Sequence, residues 1–266
     1  MNFDIRTRET ASETLHKLLN DVFNIPEFIS YLASKYGGDV DEFLNAETDF
    51  LESLDIEGVK YIGFHVTTSN DECAEIKKHG IVDLRTALSI NTNLKRFLMK
   101  HGITFDFTRN IMICNNTEHD VNYENYRAIA DYGNSPLKRI AHKLCYDPQV
   151  NGFFNCDNIG NYSIIDKYPE ILHTISEFTS IELSDWKSYC TCYKVHFAVE
   201  FDQIAWFTFY DSKADAQGNI VNRVELKKTL IRRAFYQATD GLCEKLIFLN
   251  PEAKIHPDQI LNFERL

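Results

Sequence analysis

The sequence has neither a long apolar run nor a recognisable secretory signal. No apolar run approaches the roughly 20 residues needed to cross a bilayer. The first residues contain no basic segment that leads into an apolar one, so no secretory signal is expected. The seven cysteines, an odd number in a chain of 266 residues, do not indicate a disulfide framework. We therefore expect a cytoplasmic protein with no membrane partner.

A metal-binding cysteine set and an overall basic charge are also missing. Cys190 and Cys192 would share one face of a strand, and no second cysteine pair completes a zinc site, so no metal is expected. The net charge of −11 excludes a basic field over the whole surface. Three local basic clusters remain, and solvated helix faces are their simplest interpretation: Lys77-Lys78, Lys95-Arg96 with Lys100, and Lys227-Lys228 with Arg232-Arg233. A nucleic-acid substrate is not excluded, because an enzyme needs only a local groove.

What the sequence does contain begins with helical patterns in its first 55 residues. A Thr10–Glu13 capping box precedes leucines at helical spacing. Pro26 suits the first turn of a second helix, and Asp39 or Asp41 begins a third. The sequence therefore predicts that residues 1–55 form a helical extension.

Later segments alternate between helical and strand patterns. Alternating apolar residues predict strands at 59–66, 150–155 and 193–201, and strand-like structure continues at 204–210. Helices are predicted at 71–79, 84–100 and 168–178. Ser135 is expected to cap a further helix that has Pro136 in its first turn. Residues 115–133 are polar and predict a loop.

The first of two chemically informative segments starts at a predicted strand end. His65 closes the alternating run and is followed by Thr67 and Asn70. The helix after them ends at Gly80-Ile81. A histidine on a strand is more often a core residue than a ligand contact, so this segment by itself does not predict a function.

The second segment lies near the C-terminus. Glu244 precedes an apolar run at 246–249, and an Ile255-x-Pro257-x-x-Ile260 pattern follows. A glutamate before a strand is commonly solvated. Together, however, a histidine and a glutamate from separate strands are what a site needs to hold a ribose and to stabilise positive charge on it.

Taken together, the two segments resemble the ADP-ribosyltransferase superfamily, in the His, Tyr, Glu branch of diphtheria toxin and the poly-ADP-ribose polymerases. The resemblance runs from about residue 58 to the end, without most of 85–150. Val66 stands where glycine is common, and Lys77 replaces an apolar residue. The resemblance implies an α+β fold with a split mixed or antiparallel β-sheet core, and it makes residues 56–266 the catalytic domain.

The resemblance also implies roles for individual residues, with NAD as the substrate. Glu244 would be catalytic and would stabilise charge on the nicotinamide ribose. His65 would bond the adenosine ribose, and Thr67 would support the same edge. The aromatic residue that stacks on nicotinamide would be Phe154, or its neighbour Phe153, with Tyr162 as the rival.

The implied activity is mono-ADP-ribosyl transfer to a macromolecule. Family members that modify arginine carry Glu or Gln two residues before the catalytic Glu, where this chain has Leu242. Arginine is therefore a poor acceptor, and RNA or DNA is slightly favoured over protein. We expect a bacterial toxin or antiphage effector, with a neutralising antitoxin as a candidate partner. The alternatives are an RNA 2′-phosphotransferase or NAD glycohydrolase on the same fold, and a non-enzymatic member that binds a nucleotide or a partner.

Overall fold

The computed structural model describes residues 1–126, 135–162, 164–218, 223–241 and 244–266. The chain divides into two compact units, each built from three stretches of sequence. The first unit contains Met1–Phe64, Asn151–Asp157 and Phe197–Asn250. The second contains His65–Val150, Asn158–His196 and Pro251–Leu266.

Strands within the described ranges form two sheets. The larger sheet has the order β8-β6-β2-β7-β9, with β1 parallel to β2, and the smaller has the order β3-β4-β5. The pairs β2–β6, β6–β8, β3–β4 and β4–β5 are antiparallel. The strands are β1 (Asn2–Phe3), β2 (Lys60–Ser69), β3 (Ile103–Asp106), β4 (Ile111–Cys114), β5 (Thr117–Asp120), β6 (Asn151–Asn155), β7 (Thr191–Val199), β8 (Lys245–Phe248) and β9 (Ile260–Arg265).

Helices accompany these strands in both units, which is compatible with the expected α+β class. In the described part of the chain, no helix has the length and apolar character that a bilayer crossing requires. The α-helices are α1 (Arg8–Leu18), α2 (Ile25–Lys35), α3 (Val40–Ala46), α4 (Thr48–Ser53), α5 (Ala74–His79), α6 (Leu84–Ser89), α7 (Asn93–Lys100), α8 (Pro136–Cys145), α9 (Glu170–Thr179), α10 (Ser184–Tyr189), α11 (Lys213–Gly218) and α12 (Val224–Thr239).

The N-terminal helices pack against α12 inside the first unit. Leu15 of α1 and Phe28 of α2 are fully buried. The Phe28 ring meets Phe235 of α12 edge-on, with 5.7 Å between the ring centroids. The predicted extension therefore supplies core side chains to the same unit as residues 197–250 and is not a separate body.

The basic cluster on α12 holds these helices in place. Lys227 is 5% exposed, and its ammonium group donates to the carbonyl oxygen of Glu52 at 3.1 Å. Arg232 Nε donates to an Asp41 carboxylate oxygen at 2.6 Å. The sequence predicts a solvated helix face for this cluster. In the structure, Lys227 and Arg232 make contacts within the first unit instead.

Two details of the N-terminal prediction differ from the structure. Helix α1 begins one turn earlier than predicted, because Thr7 is the N-cap and accepts from the Thr10 backbone N–H. The third predicted helix is two helices, α3 and α4, which meet at Glu47. The Glu47 carboxylate is held by the Lys35 ammonium at 2.7 Å, so the chain turns at a fixed point.

The second unit has its own apolar core. Its fully buried side chains come from strands β3 and β4 and from helices α7, α8 and α9, and they include Leu98, Ile103, Met112, Ile140 and Leu172. A hairpin of β4 and β5 occupies part of the predicted 115–133 loop. Asn115 and Asn116 join these strands with φ of 48° and 66°, which is the backbone of a two-residue hairpin turn. Residues 127–134 of that predicted loop lie outside the described residues.

Other predicted elements fall into confirmed and corrected groups. Strands β2, β6 and β7 and the Ser135 cap of α8 are confirmed. The predicted helix at 84–100 is interrupted, because Thr92 caps a new helix by accepting the Lys95 N–H at 3.1 Å. The predicted strand at 204–210 is wrong. Residues Trp206–Thr208 form a 3-10 turn, and Thr208 Oγ1 accepts a hydrogen bond from the Phe248 backbone N–H at 3.1 Å.

We predict that Leu15→Ala lowers the free energy of unfolding by about 2–5 kcal/mol, because it leaves a cavity where α1 packs on α12. Ile29→Ala is the matched control, since Ile29 is a helical residue of the same segment that is 44% exposed. Its expected cost is within about 0.5 kcal/mol. Urea unfolding of both variants measures the difference. Equal stabilities would contradict a core role for the N-terminal helices.

Candidate functional site

The predicted NAD-binding residues of β2 lie on one face of the strand. His65 and Thr67 are half-buried, whereas Val66 and Thr68 between and after them are buried. Residues two apart on a strand share a face. On the buried face, Thr68 Oγ1 accepts the indole N–H of Trp186 at 2.9 Å. This bond fixes the strand and leaves the His65 and Thr67 face partly open.

A tight polar turn follows the strand. The Ser69 hydroxyl donates to an Asp71 carboxylate oxygen at 2.6 Å and accepts the Cys73 backbone N–H at 2.9 Å. Glu72 and Cys73 both have positive φ, 54° and 60°. These left-handed residues explain why α5 begins at Ala74 and not at Asp71, where the sequence predicted it.

The end of α5 is bound directly to the C-terminal motif. Ile81 and Ile255 exchange two backbone hydrogen bonds, each 2.9 Å long. Gly80 has φ of +78°, and a Cβ atom there would lie 2.0 Å from the Ile255 carbonyl oxygen. Only glycine fits this backbone conformation and this close approach. The closing part of the first segment and the opening part of the Ile-x-Pro-x-x-Ile pattern are thus in contact.

The rest of the C-terminal pattern forms the expected turn. Pro257–Gln259 is a 3-10 turn, in which the His256 backbone N–H donates to the Gln259 side-chain oxygen at 2.9 Å. Strand β9 follows it. The Lys77 ammonium lies 5.2 Å from the centre of the Phe263 ring of β9. Lys77, which departs from the family pattern, therefore makes a cation–π contact with the C-terminal strand.

Glu244 belongs to the first unit and is exposed immediately before β8. The next residue, Lys245, donates its backbone N–H to the Asn155 side-chain oxygen at 2.9 Å. The Asn155 amide is 1% exposed and donates in turn to the Gln237 side-chain oxygen at 2.7 Å. Because a buried amide pair is costly to leave unsatisfied, it fixes where β8 begins. Sequence reasoning did not identify Asn155 or Gln237, whose pairing spans 82 positions.

The aromatic candidates differ in exposure. Phe154 is fully buried against the rings of Phe3 and Phe209, at 5.7 and 5.8 Å. Its ring has no exposed face for nicotinamide, so it is a core residue of the first unit. Phe153 is 6% exposed and stacks on Phe64. Tyr162, the third aromatic candidate, is half-buried at the end of a 3-10 turn in the second unit.

His65, Thr67 and Tyr162 are in the second unit, whereas Glu244 is in the first. Their convergence on one cleft remains a prediction. Leu242, the position that argues against arginine as acceptor, lies outside the described residues.

The described ranges show no metal-binding cluster, and three of their thiols have a raised pKa. No group of three or more His, Cys, Asp or Glu side chains there is placed to hold a metal ion. Burial raises the pKa of the Cys73, Cys190 and Cys192 thiols to about 11. These thiols therefore stay protonated at neutral pH and are poor nucleophiles or metal ligands.

Comparison with family models, curated proteins and solved structures finds no match to this chain.

We predict that Gly80→Ala destabilises the protein by about 2–5 kcal/mol. A left-handed backbone costs a side chain about 1–2 kcal/mol, and the overlap with the Ile255 carbonyl adds about 1–3 kcal/mol. Gly37→Ala is the control, because Gly37 also has positive φ, 59°, but has open space around it. Chemical unfolding of the two variants isolates the overlap. Similar losses would show that the Gly80–Ile255 approach contributes nothing.

Proposed function

We propose that this protein is an NAD-dependent mono-ADP-ribosyltransferase whose acceptor is a macromolecule, RNA or DNA in preference to protein. The observation that carries the proposal is the pairing of Ile81 with Ile255 beside Gly80. The resemblance names these residues in two segments that are distant in sequence. Their direct contact is what a shared site would require, and it supports reading the segments together.

In the proposed reaction, the bond between nicotinamide and ribose breaks, and its electrons leave with nicotinamide as a neutral ring. The anomeric carbon then forms a bond to a nucleophilic atom of the acceptor, which gives up its proton. Positive charge develops on the ribose before that bond forms. The Glu244 carboxylate, exposed at the start of β8, would stabilise this charge. His65 and Thr67 would hold the adenosine ribose, and Tyr162 would stack on nicotinamide.

The proposed biological role is that of a bacterial toxin or antiphage effector controlled by a neutralising antitoxin. The acidic N-terminal segment offers a surface for such a partner. Some of its carboxylates are already engaged, since Asp41 pairs with Arg232 and Glu47 with Lys35. Glu42, Asp49 and Glu52 remain exposed and would supply the negative charge of the docking surface.

We predict that Glu244→Gln lowers the rate of NAD-dependent transfer by about 10²–10³-fold, because the variant keeps the side-chain volume and loses the charge. Release of nicotinamide measures the rate, and the unfolding midpoint tests that the fold is intact. Glu252→Gln is the control, since Glu252 is also an exposed glutamate but follows β8, whereas Glu244 precedes it. Full activity of a folded Glu244→Gln variant would remove Glu244 from the mechanism.

We predict a different effect for His65→Gln. Because His65 is proposed to hold the adenosine ribose, its loss should raise KM for NAD more than it lowers kcat. His79→Gln serves as the control, since His79 is also half-buried in the second unit. An unchanged KM in the His65 variant would contradict the binding role.

A further inference from the structure

A pocket of about 210 Å³ opens beside the end of β2 in the second unit. Trp186 and Phe97 line it and form an aromatic wall, with their rings perpendicular and 5.2 Å apart. The Trp186 indole is 4% exposed and is fixed by its hydrogen bond to Thr68. The volume is below the roughly 300–1,000 Å³ of sites for drug-sized ligands. It therefore suits one planar ring system and not a whole dinucleotide.

Tyr189 also lines this pocket, and it is exposed to solvent. Its side chain is 73% exposed, the highest value among the large apolar side chains in the described ranges. Bases of single-stranded nucleic acid stack on such rings, and the stacking is worth about 1–3 kcal/mol per base. The exposed Tyr189 ring beside a rigid aromatic wall is thus an arrangement that accepts a planar base.

Amide groups line the polar side of the pocket. The Asn70 side chain is exposed and makes no hydrogen bond within the described ranges. An asparagine amide offers both a donor and an acceptor, which is the pair that the edge of a nucleobase requires. Asn70 also belongs to the segment that begins with His65, so the pocket adjoins the predicted NAD-binding strand.

Two cations, Lys100 and Arg96, line the pocket together with the Asp185 carboxylate. Lys100 is 70% exposed and pairs with Asp185 at 3.3 Å, and Arg96 pairs with Glu75. Exposed pairs of this kind contribute about 0–1 kcal/mol, so Lys100 exchanges Asp185 for a phosphate at little cost. Lys100, one member of a cluster predicted as a solvated helix face, therefore places an exposed positive charge at the pocket.

We propose that this pocket binds one unstacked nucleobase of a single-stranded nucleic acid, with the base on Tyr189 and the neighbouring phosphate at Lys100. The inference rests on the proposed function, because the bound strand would be the acceptor of ADP-ribose. It adds a position for that strand, next to the His65 strand.

The test uses Trp186 as a reporter inside the pocket. The chain has two tryptophans, so Trp206→Phe leaves Trp186 as the only one. A short single-stranded oligonucleotide is titrated into this variant without NAD, and tryptophan fluorescence is recorded. An abasic oligonucleotide of equal length carries the same phosphates without bases. Tyr189→Ala removes the exposed ring, and Tyr146→Ala is the control, because Tyr146 is an exposed tyrosine of the same unit that does not line the pocket.

We expect a saturable fluorescence change with the base-bearing strand. Binding should be about 5- to 150-fold weaker for the abasic strand and for Tyr189→Ala, as expected for one stacked base, and unchanged for Tyr146→Ala. Equal binding of the abasic strand, or unchanged binding by Tyr189→Ala, would overturn the proposal. Tighter binding of AMP or NAD than of the oligonucleotide would overturn it as well, since the pocket would then serve the mononucleotide.

The titration involves no turnover and is repeated with Glu244→Gln. Base-dependent binding by Glu244→Gln would show that the pocket works independently of transfer. Base-dependent binding by the unsubstituted protein, if that protein released no nicotinamide from NAD, would leave the pocket in place and contradict the proposed function. Transfer activity without base-dependent binding would support the proposed function and overturn the nucleobase site.

Discussion

Two backbone hydrogen bonds between Ile81 and Ile255 hold the end of α5 against the C-terminal segment of the second unit, and they form only because residue 80 has no side chain. The Ile255 carbonyl occupies the space in which a Cβ atom would lie. Strand β2, the polar turn after it and α5 lead into this contact from one side. The Pro257 turn and β9 leave it on the other. His65, Thr67 and the Ile-x-Pro-x-x-Ile pattern therefore belong to the same compact unit.

The proposed catalytic residue depends on a separate anchor in the first unit. The buried Asn155 amide connects the start of β8 to Gln237 of α12, and α12 carries the N-terminal helices. Residues 1–55 are therefore connected to Glu244 through packing and hydrogen bonds of one unit. Deleting these residues would expose the apolar face of α12. Because their buried side chains pack on α12 while Glu42, Asp49 and Glu52 are exposed, the same helices can complete the core and dock a partner.

Much of the fold was predictable where the signal is local. The alternation in β2 and β7 and the Ser135-Pro136 start of α8 are local patterns, and the structure confirms them. The β4–β5 hairpin was missed because β5 is polar, although Asn115-Asn116 was a usable turn signal. The burial of Phe154 and the Asn155–Gln237 pair depend on contacts distant in sequence, which no local pattern encodes. For the same reason, the sequence named His65 and Glu244 but not the residues that position them.

The two segments are proposed to form an enzyme that transfers ADP-ribose from NAD. To test this, the protein is incubated with NAD labelled in the adenosine part and with separate pools of RNA, DNA and cell protein. The label in each pool and the nicotinamide released are then measured. We expect label to enter a nucleic-acid pool in proportion to the nicotinamide released, and Glu244→Gln to lower both by about 10²–10³-fold. Release of nicotinamide with all label left as free ADP-ribose, or no release with any pool, would contradict the proposal.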